Sequence, residues 1–552
     1  MLDVERASYD RATFLQQLER VNELIAARAR GLGDLPVTAT KEAIEHALEV
    51  LPDELPAHGL GLEETTTHLL STIAPALMPG QAGPRCYGLV LGGVTPAAQL
   101  ADMLVTSFDP CVQVHWPEQT ISVALEALTL SYLLSLLSLP SALFTGNALT
   151  TGATASNLLG LCLGRDWTVA RIQRARGHAG WTVPEDGTGG VAVDVFVVDA
   201  HASIKKAAAM AGLGRRAVVD LRDAEREARG EMDCFDLGRL EERLRENEEK
   251  GRGSVVATSF GEVNTGAVNP DTPALRDLCD RYHAWLHIDA AFGAFAILHP
   301  DYKAYVPHLT LGDSITSDAH KWLNVPYDCG LFFSRAKPIP GPAPAPRSGA
   351  SDEASLIALT GPGANAPAYL TAPAVVDDPG SPFPRLDKTR TIPSPLFTNV
   401  ENSRRFRALP VYASLLSLGR DGYTALIERN IAFARRIDTF LRSHPSYNVL
   451  TPTPPSTAAS DSEPFVYRVL NVVLFAPSSS APARFRTASA SNPDPGTTFL
   501  RALNGSNEIF VTGTNWRGRA AVRLAVSNWA TEIEQEREWE VVKRVLEGVM
   551  RE

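Results

Sequence analysis

The chain has 552 residues, 44% of them hydrophobic and 21% charged, with a formal net charge of −11. These figures exclude a disordered or fibrous chain and leave room for more than one globular domain. The negative balance counts against nucleic acid and anionic membranes as partners, and six scattered cysteines without CxxC spacing count against a zinc site or a disulfide framework.

Met1 to Arg6 lacks the basic and apolar segments of a secretory signal, so a cytoplasmic protein with reduced thiols is expected. Phe14, Leu18, Val21 and Ile25 recur at helical spacing within 11–30, with Gly31 as the stop. This apolar stripe packs either on its own subunit or across a partner, and the spacing does not choose. The run 121–140 is about long enough to span a bilayer, but Glu126 and several serines make it a buried core helix. Small residues from Thr150 to Asn157 lead into an apolar helix over 158–174. Free backbone N–H groups and the positive end of a helix dipole meet there, which suits an anion, although any helix start looks similar.

The β-branched run 191–198 reads as a buried parallel strand that delivers Asp199-Ala200-His201, with a helix over 204–213. A strand-end histidine is often no more than a hydrogen-bonded structural residue. The pattern then alternates: strand 217–221, helix 236–250, strand 254–259, helix 272–283, strand 286–289, then strands 314–317 and 331–334. Such alternation means a mostly parallel sheet covered on both faces, with functional groups where strands end. One of those strands ends in Asp289, followed by Ala290 and Ala291. A carboxylate beside positions small enough to admit a flat ring suits a protonated pyridine nitrogen. The run 317–330 then sets His320 beside Lys321 among few charges. Apolar neighbours such as Trp322, Leu323, Val325 and Pro326 would lower the pKa of the lysine and free its amine for imine formation. The bland reading is a lysine snorkelling at a strand end.

Together these stretches resemble the pyridoxal-phosphate-dependent decarboxylases of the aromatic-amino-acid and glutamate decarboxylase family, often called group II. The resemblance runs with gaps from about Gly83 to Thr531. It rests on His320-Lys321-Trp322, on His287-Ile288-Asp289-Ala290-Ala291, on the segment around His201 and on 401–409, in the family's order. It implies the α/β transferase fold of pyridoxal-phosphate enzymes (fold type I). That fold has a mostly parallel central sheet with helices on both faces, N-terminal helices and a smaller α+β C-terminal domain. The corresponding divisions are 1–82, 83–336, 337–400 and 401–552. It implies pyridoxal 5′-phosphate on Lys321, a homodimer with its site at the subunit interface, and no metal.

The same resemblance assigns roles residue by residue. Ala153 and Thr154 fall on phosphate-contacting positions, His201 stacks on one face of the ring, Ala291 packs on the other, and His320 adjoins the cofactor. Asp318 stands where animal members carry an asparagine; an acid there is repelled unless it turns away, so it is given no phosphate contact. Val263 replaces a threonine that helps hold cofactor and substrate, with Asn264 or Thr258 as substitutes. His287 is read as structural. Tyr369, in a Tyr-Leu pair flanked by proline and glycine, falls where the family carries the proton donor to the α-carbon. Tyr87, His115 and Trp116 are candidate walls of the substrate pocket, and Tyr87 and Trp116 lean the substrate toward an aromatic amino acid. The resulting expectation is an amino-acid decarboxylase giving an amine and carbon dioxide. Alternatives are an aldehyde synthase, carbon–sulfur lyase or aminotransferase on the same fold, or a non-catalytic relative. Residues 337–350 read as a linker, and 477–496 as an inserted surface loop.

Overall fold

A computed structural model describes residues 10–340, 352–361, 384–453, 467–489, 492–531 and 536–551. Two compact units divide the chain. One comprises Val94–Thr439 and Val449–Leu474; the other comprises Met1–Gly93, Phe440–Asn448 and Phe475–Glu552.

The larger unit is built on seven strands: β1 (Gly146–Thr150), β2 (Val193–Val197), β3 (Val218–Asp220), β4 (Gly253–Ser259), β5 (Trp285–Asp289), β6 (Ser314–Asp318) and β7 (Gly330–Ser334). They lie in the order β1-β7-β6-β5-β4-β2-β3. Strands β6, β5, β4, β2 and β3 run parallel, and β7 is antiparallel to both of its neighbours. Successive side chains of a strand point to opposite faces, and here both faces are apolar. Val193, Val195, Val197, Val255, Ala257 and Trp285 enter one core together with Leu159, Leu163 and Trp167. Phe196, Val198, Val256 and Leu286 enter the other, against Leu240, Leu244 and Leu275. That explains why these strands read as mostly hydrophobic runs rather than alternating ones, with the few polar members such as Asp194 and His287 buried as well.

The helix Ala153–Ala175 crosses one face of this sheet. Gly160 and Gly164, one turn apart, let it approach closely. A Cβ at Gly160 would lie 2.4 Å from the His287 ring, and one at Gly164 would lie 2.8 Å from Val255. The expected start of this helix at 158 is corrected to Ala153, because Gly152 serves as its N-cap and the small residues already belong to the first turns. The run Ser122–Leu136 is a helix with Glu126 buried, where Arg404 pairs with it. The long helix Ala408–Ser443 is interrupted at Gly419, whose φ of 61° is open to glycine at little cost.

The smaller unit carries the helix Arg11–Arg30, capped by Asp10 and stopped at Gly31 as its spacing predicts. A second sheet runs β10-β11-β13-β12, with β10 Tyr447–Val449, β11 Val472–Pro477, β12 Thr512–Trp516 and β13 Arg519–Ala525. A two-stranded ladder between β8 Lys337–Pro338 and β9 Glu353–Ala354 opens and closes the stretch read as a linker. The reading of 477–496 as a surface loop needs correction: Ala481 and Phe485 are buried, and Phe485 packs on Phe499, so the segment contributes core. Among the described residues no helix is long and apolar enough to cross a membrane. All six cysteines are free thiols.

Candidate active site

Strand register assembles the site within the larger unit. Thr150 pairs with Gly330, and Gly330 pairs with Asp318, so the ends of β1 and β6 flank the start of β7. Asp289 lies opposite Thr316 on one side and Ser259 on the other. His201 follows the end of β2 by four residues and caps the helix Ala202–Met210. Gly330 has a steric reason to be glycine. A Cβ there would meet Thr150 Oγ1 at 2.4 Å and Gly152 Cα at 2.6 Å, which would push the loop before Ala153 off the strand ends.

Asp289 is held from below and from the side. Its Oδ2 accepts from Asn157 Nδ2 at 2.9 Å, and its Oδ1 accepts from the Ala291 N–H at 3.2 Å. Asn157 is fully buried and acts as a junction. Its Nδ2 also donates to Ser203 Oγ at 3.1 Å, and Ser203 Oγ lies 2.8 Å from His201 Nδ1. Its Oδ1 lies 2.9 Å from His287 Nε2, and His287 Nδ1 lies 2.8 Å from Ser314 Oγ, which also accepts from Trp285 Nε1. Burial pushes the His287 pKa down to about 4, so this ring is neutral and serves as structure. The Ser203 N–H donates to His201 Nδ1, fixing the orientation of an otherwise exposed imidazole.

Lys321 follows β6. Its Nζ lies 3.1 Å from Asp318 Oδ2, and its side chain is about one-quarter exposed. Trp322, Leu323 and Val325 are wholly buried, with Trp322 Nε1 donating to Asn430 Oδ1. The expectation of an apolar jacket around the amine is therefore corrected. Those side chains anchor the backbone in the core, and the partner of the amine is a carboxylate. The expectation that Asp318 turns away is corrected as well. Its Oδ1 accepts the Ala153 N–H at 2.6 Å, in the first turn of the helix Ala153–Ala175. His320 is buried beside it, Nε2 3.5 Å from Asp318 Oδ2. Burial lowers the His320 pKa although Asp318 opposes the shift. The Asp318 N–H donates to Ala291 O at 2.8 Å, joining the lysine side of the site to the Asp289 side.

The family model of the pyridoxal-dependent decarboxylase conserved domain matches residues 45–339. The chain belongs to the pyridoxal-dependent decarboxylases. It is 26% identical over 352 residues to an L-2,4-diaminobutyrate decarboxylase of Acinetobacter baumannii, spanning 63% of this chain and 61% of that one. It is 24% identical over 515 residues to tryptophan decarboxylase 1 of Oryza sativa subsp. japonica, covering 91% of this chain and 88% of the relative. A crystal structure of Oryza sativa TDC with PLP and tryptamine superposes with a TM-score of 0.75 at 20% identity, over 98% and 99% of the two chains. The fold is therefore that of the fold type I decarboxylases.

The decarboxylase cofactor, pyridoxal 5′-phosphate, fits the residues present. The Ala153 amide at the helix start already receives an anion, the carboxylate of Asp318, so the position is one where negative charge is accommodated. Asp289 is an oriented carboxylate next to Ala290 and Ala291, and Lys321 carries an amine beside Asp318. Thr154 and Ala291 are partly buried beside these groups in sequence.

The remaining candidates lie as follows. His115 is buried, its Nε2 2.8 Å from Thr389 O and its backbone N–H bonded to Ser394 Oγ, while Trp116 is 40% exposed. Tyr87 is buried in the smaller unit, its backbone pairing with Phe510 and Ala525. Tyr369 lies outside the described residues. Asn264 is committed to its own loop, donating to Glu262 Oε1, whereas Thr258 Oγ1 is buried with no hydrogen-bond partner among the described residues. Sequence reasoning missed Asn157, Ser203 and the cradle contact of Asp318. Asn157 and Ser203 stand in the quoted motifs, but nothing in their spacing shows that three strands and two helices bring them together.

Proposed function

We propose that this decarboxylase acts on a free L-amino acid and releases carbon dioxide and an amine. The observation that supports the reading is a pair of joined networks at neighbouring strand ends. One is Lys321–Asp318–Ala153 and the other is Asp289–Asn157–Ser203–His201. Bound there, pyridoxal phosphate supplies an electron sink for the bond broken at the substrate α-carbon. Lys321 would hold the cofactor through its amine. Asp289 would hold the ring nitrogen in its protonated form, and the Asn157 and Ala291 donors aim its carboxylate. His201 and Ala291 would hold the ring in place, and Tyr369 would return a proton to the α-carbon.

Aromatic amino acids are the first substrate class, on the strength of Trp116 and the tryptophan decarboxylase relative. Small diamino acids are the second, because the diaminobutyrate decarboxylase is also a relative. The active species is a cytoplasmic homodimer. Most exposed large apolar side chains among the described residues fall between Phe14 and Tyr132, including Leu55, Phe108 and Ile121, which favours a subunit interface formed by this part of the chain. Segments 1–82, 83–336, 337–400 and 401–552 then serve as an N-terminal helical segment, the cofactor-binding α/β domain, a linker with the catalytic loop and a small C-terminal α+β domain. The test is a panel of L-amino acids assayed for amine release, with and without Lys321→Ala. The substitution should abolish both turnover and the visible absorbance of the bound cofactor; retained turnover would refute the assignment.

A further inference from the structure

The carboxylate of Asp318 is 2% exposed and makes three close approaches: to the Ala153 N–H at 2.6 Å, to Lys321 Nζ at 3.1 Å and to His320 Nε2 at 3.5 Å. Its own N–H is tied to Ala291 O, so the side chain is aimed by the backbone. Ala153 is the first residue of a 23-residue helix, where unsatisfied N–H groups and the positive end of the dipole coincide. The donor best placed for a phosphate is thus already engaged by an anion of the chain itself, and the same anion holds the lysine.

We propose that Asp318 is an internal competitor for the phosphate cradle. It is a positioning residue that occupies the Ala153 amide and steadies Lys321 until the cofactor's phosphate takes the amide over. The proposal rests on the cradle reading given above. Two anions cannot share one N–H at full strength, and like charges in contact oppose each other. Asp318 therefore sets how strongly the chain prefers a phosphorylated ligand over the same ligand without phosphate. A purely structural role, or one acting only through Lys321, would alter the two ligands equally.

The experiment titrates cofactor-free full-length protein with pyridoxal 5′-phosphate and separately with pyridoxal, by calorimetry. It compares wild type, Asp318→Asn and Ala153→Pro, each first checked for native circular dichroism. Asp318→Asn keeps the shape and removes the charge. Removing one opposing charge should tighten pyridoxal 5′-phosphate binding about tenfold and change pyridoxal binding less than about twofold. An unchanged or reduced ratio of the two affinities, or an equal gain for both ligands, would overturn the proposal. Proline is tolerated at the first position of a helix, so Ala153→Pro deletes the shared donor without breaking the helix. It should lower the phosphate preference below that of wild type. Full preference in that variant would instead overturn the cradle reading itself, which keeps the two failures distinct.

Discussion

Replacing Asn157 with alanine removes the joint between Asp289 and its supports. The side chain is fully buried and makes three hydrogen bonds, to Asp289, Ser203 and His287. A bond to a charged group contributes about 1.5–3 kcal/mol and a neutral one about 0.5–1.5 kcal/mol, and a buried partner left unsatisfied adds its desolvation cost. Two features reduce the sum. Asp289 keeps the Ala291 N–H, and His287 Nε2 retains Thr316 Oγ1 at 3.5 Å. The expected loss is therefore about 2–4 kcal/mol rather than the full total. Guanidinium denaturation of the cofactor-free protein measures it. Titration with pyridoxal 5′-phosphate should also weaken by about tenfold or more, because Asp289 loses its lateral donor. A destabilisation under about 0.5 kcal/mol, the range of an ordinary surface change, together with unchanged cofactor affinity would refute the junction role.

Gly160→Ala drives a Cβ into the His287 ring and should cost about 1–3 kcal/mol. Gly548→Ala, with open space around it in the helix Arg537–Arg551, should gain up to about 1 kcal/mol; equal effects at both sites in a denaturant series would contradict the packing account. The native pKa of His287, near 4, lies below its reference of 6.5, so the unfolded chain takes up the proton first as pH falls. Its contribution is intact above about pH 6.5 and is lost between there and pH 4, to a limit of about 3 kcal/mol. A His287→Gln variant should lose correspondingly less stability than wild type over that window, and identical losses would remove His287 as the cause. Tyr369→Phe should leave cofactor binding intact and shift product from amine toward aldehyde by chromatography; an unchanged product ratio would end its proposed role.

Much of this protein is written locally in its chain. Strand runs such as Val193–Val197 send apolar residues to both cores, the helix Arg11–Arg30 has its apolar spacing and its stop, and the His320-Lys321 and Asp289-Ala290-Ala291 motifs carry chemistry in their residue types. These features depend on periodicity and on side-chain chemistry, which neighbours in sequence decide. Other features depend on register between segments far apart in the chain. Only pairing across β1, β7 and β6 sets Asp318 against the Ala153 amide, 165 residues away. Only the close approach allowed by Gly160 brings His287 to Asn157. The sequence offered the candidate groups. Which carboxylate faces which donor follows from distances between strands and helices, and these exist only once the sheet has formed.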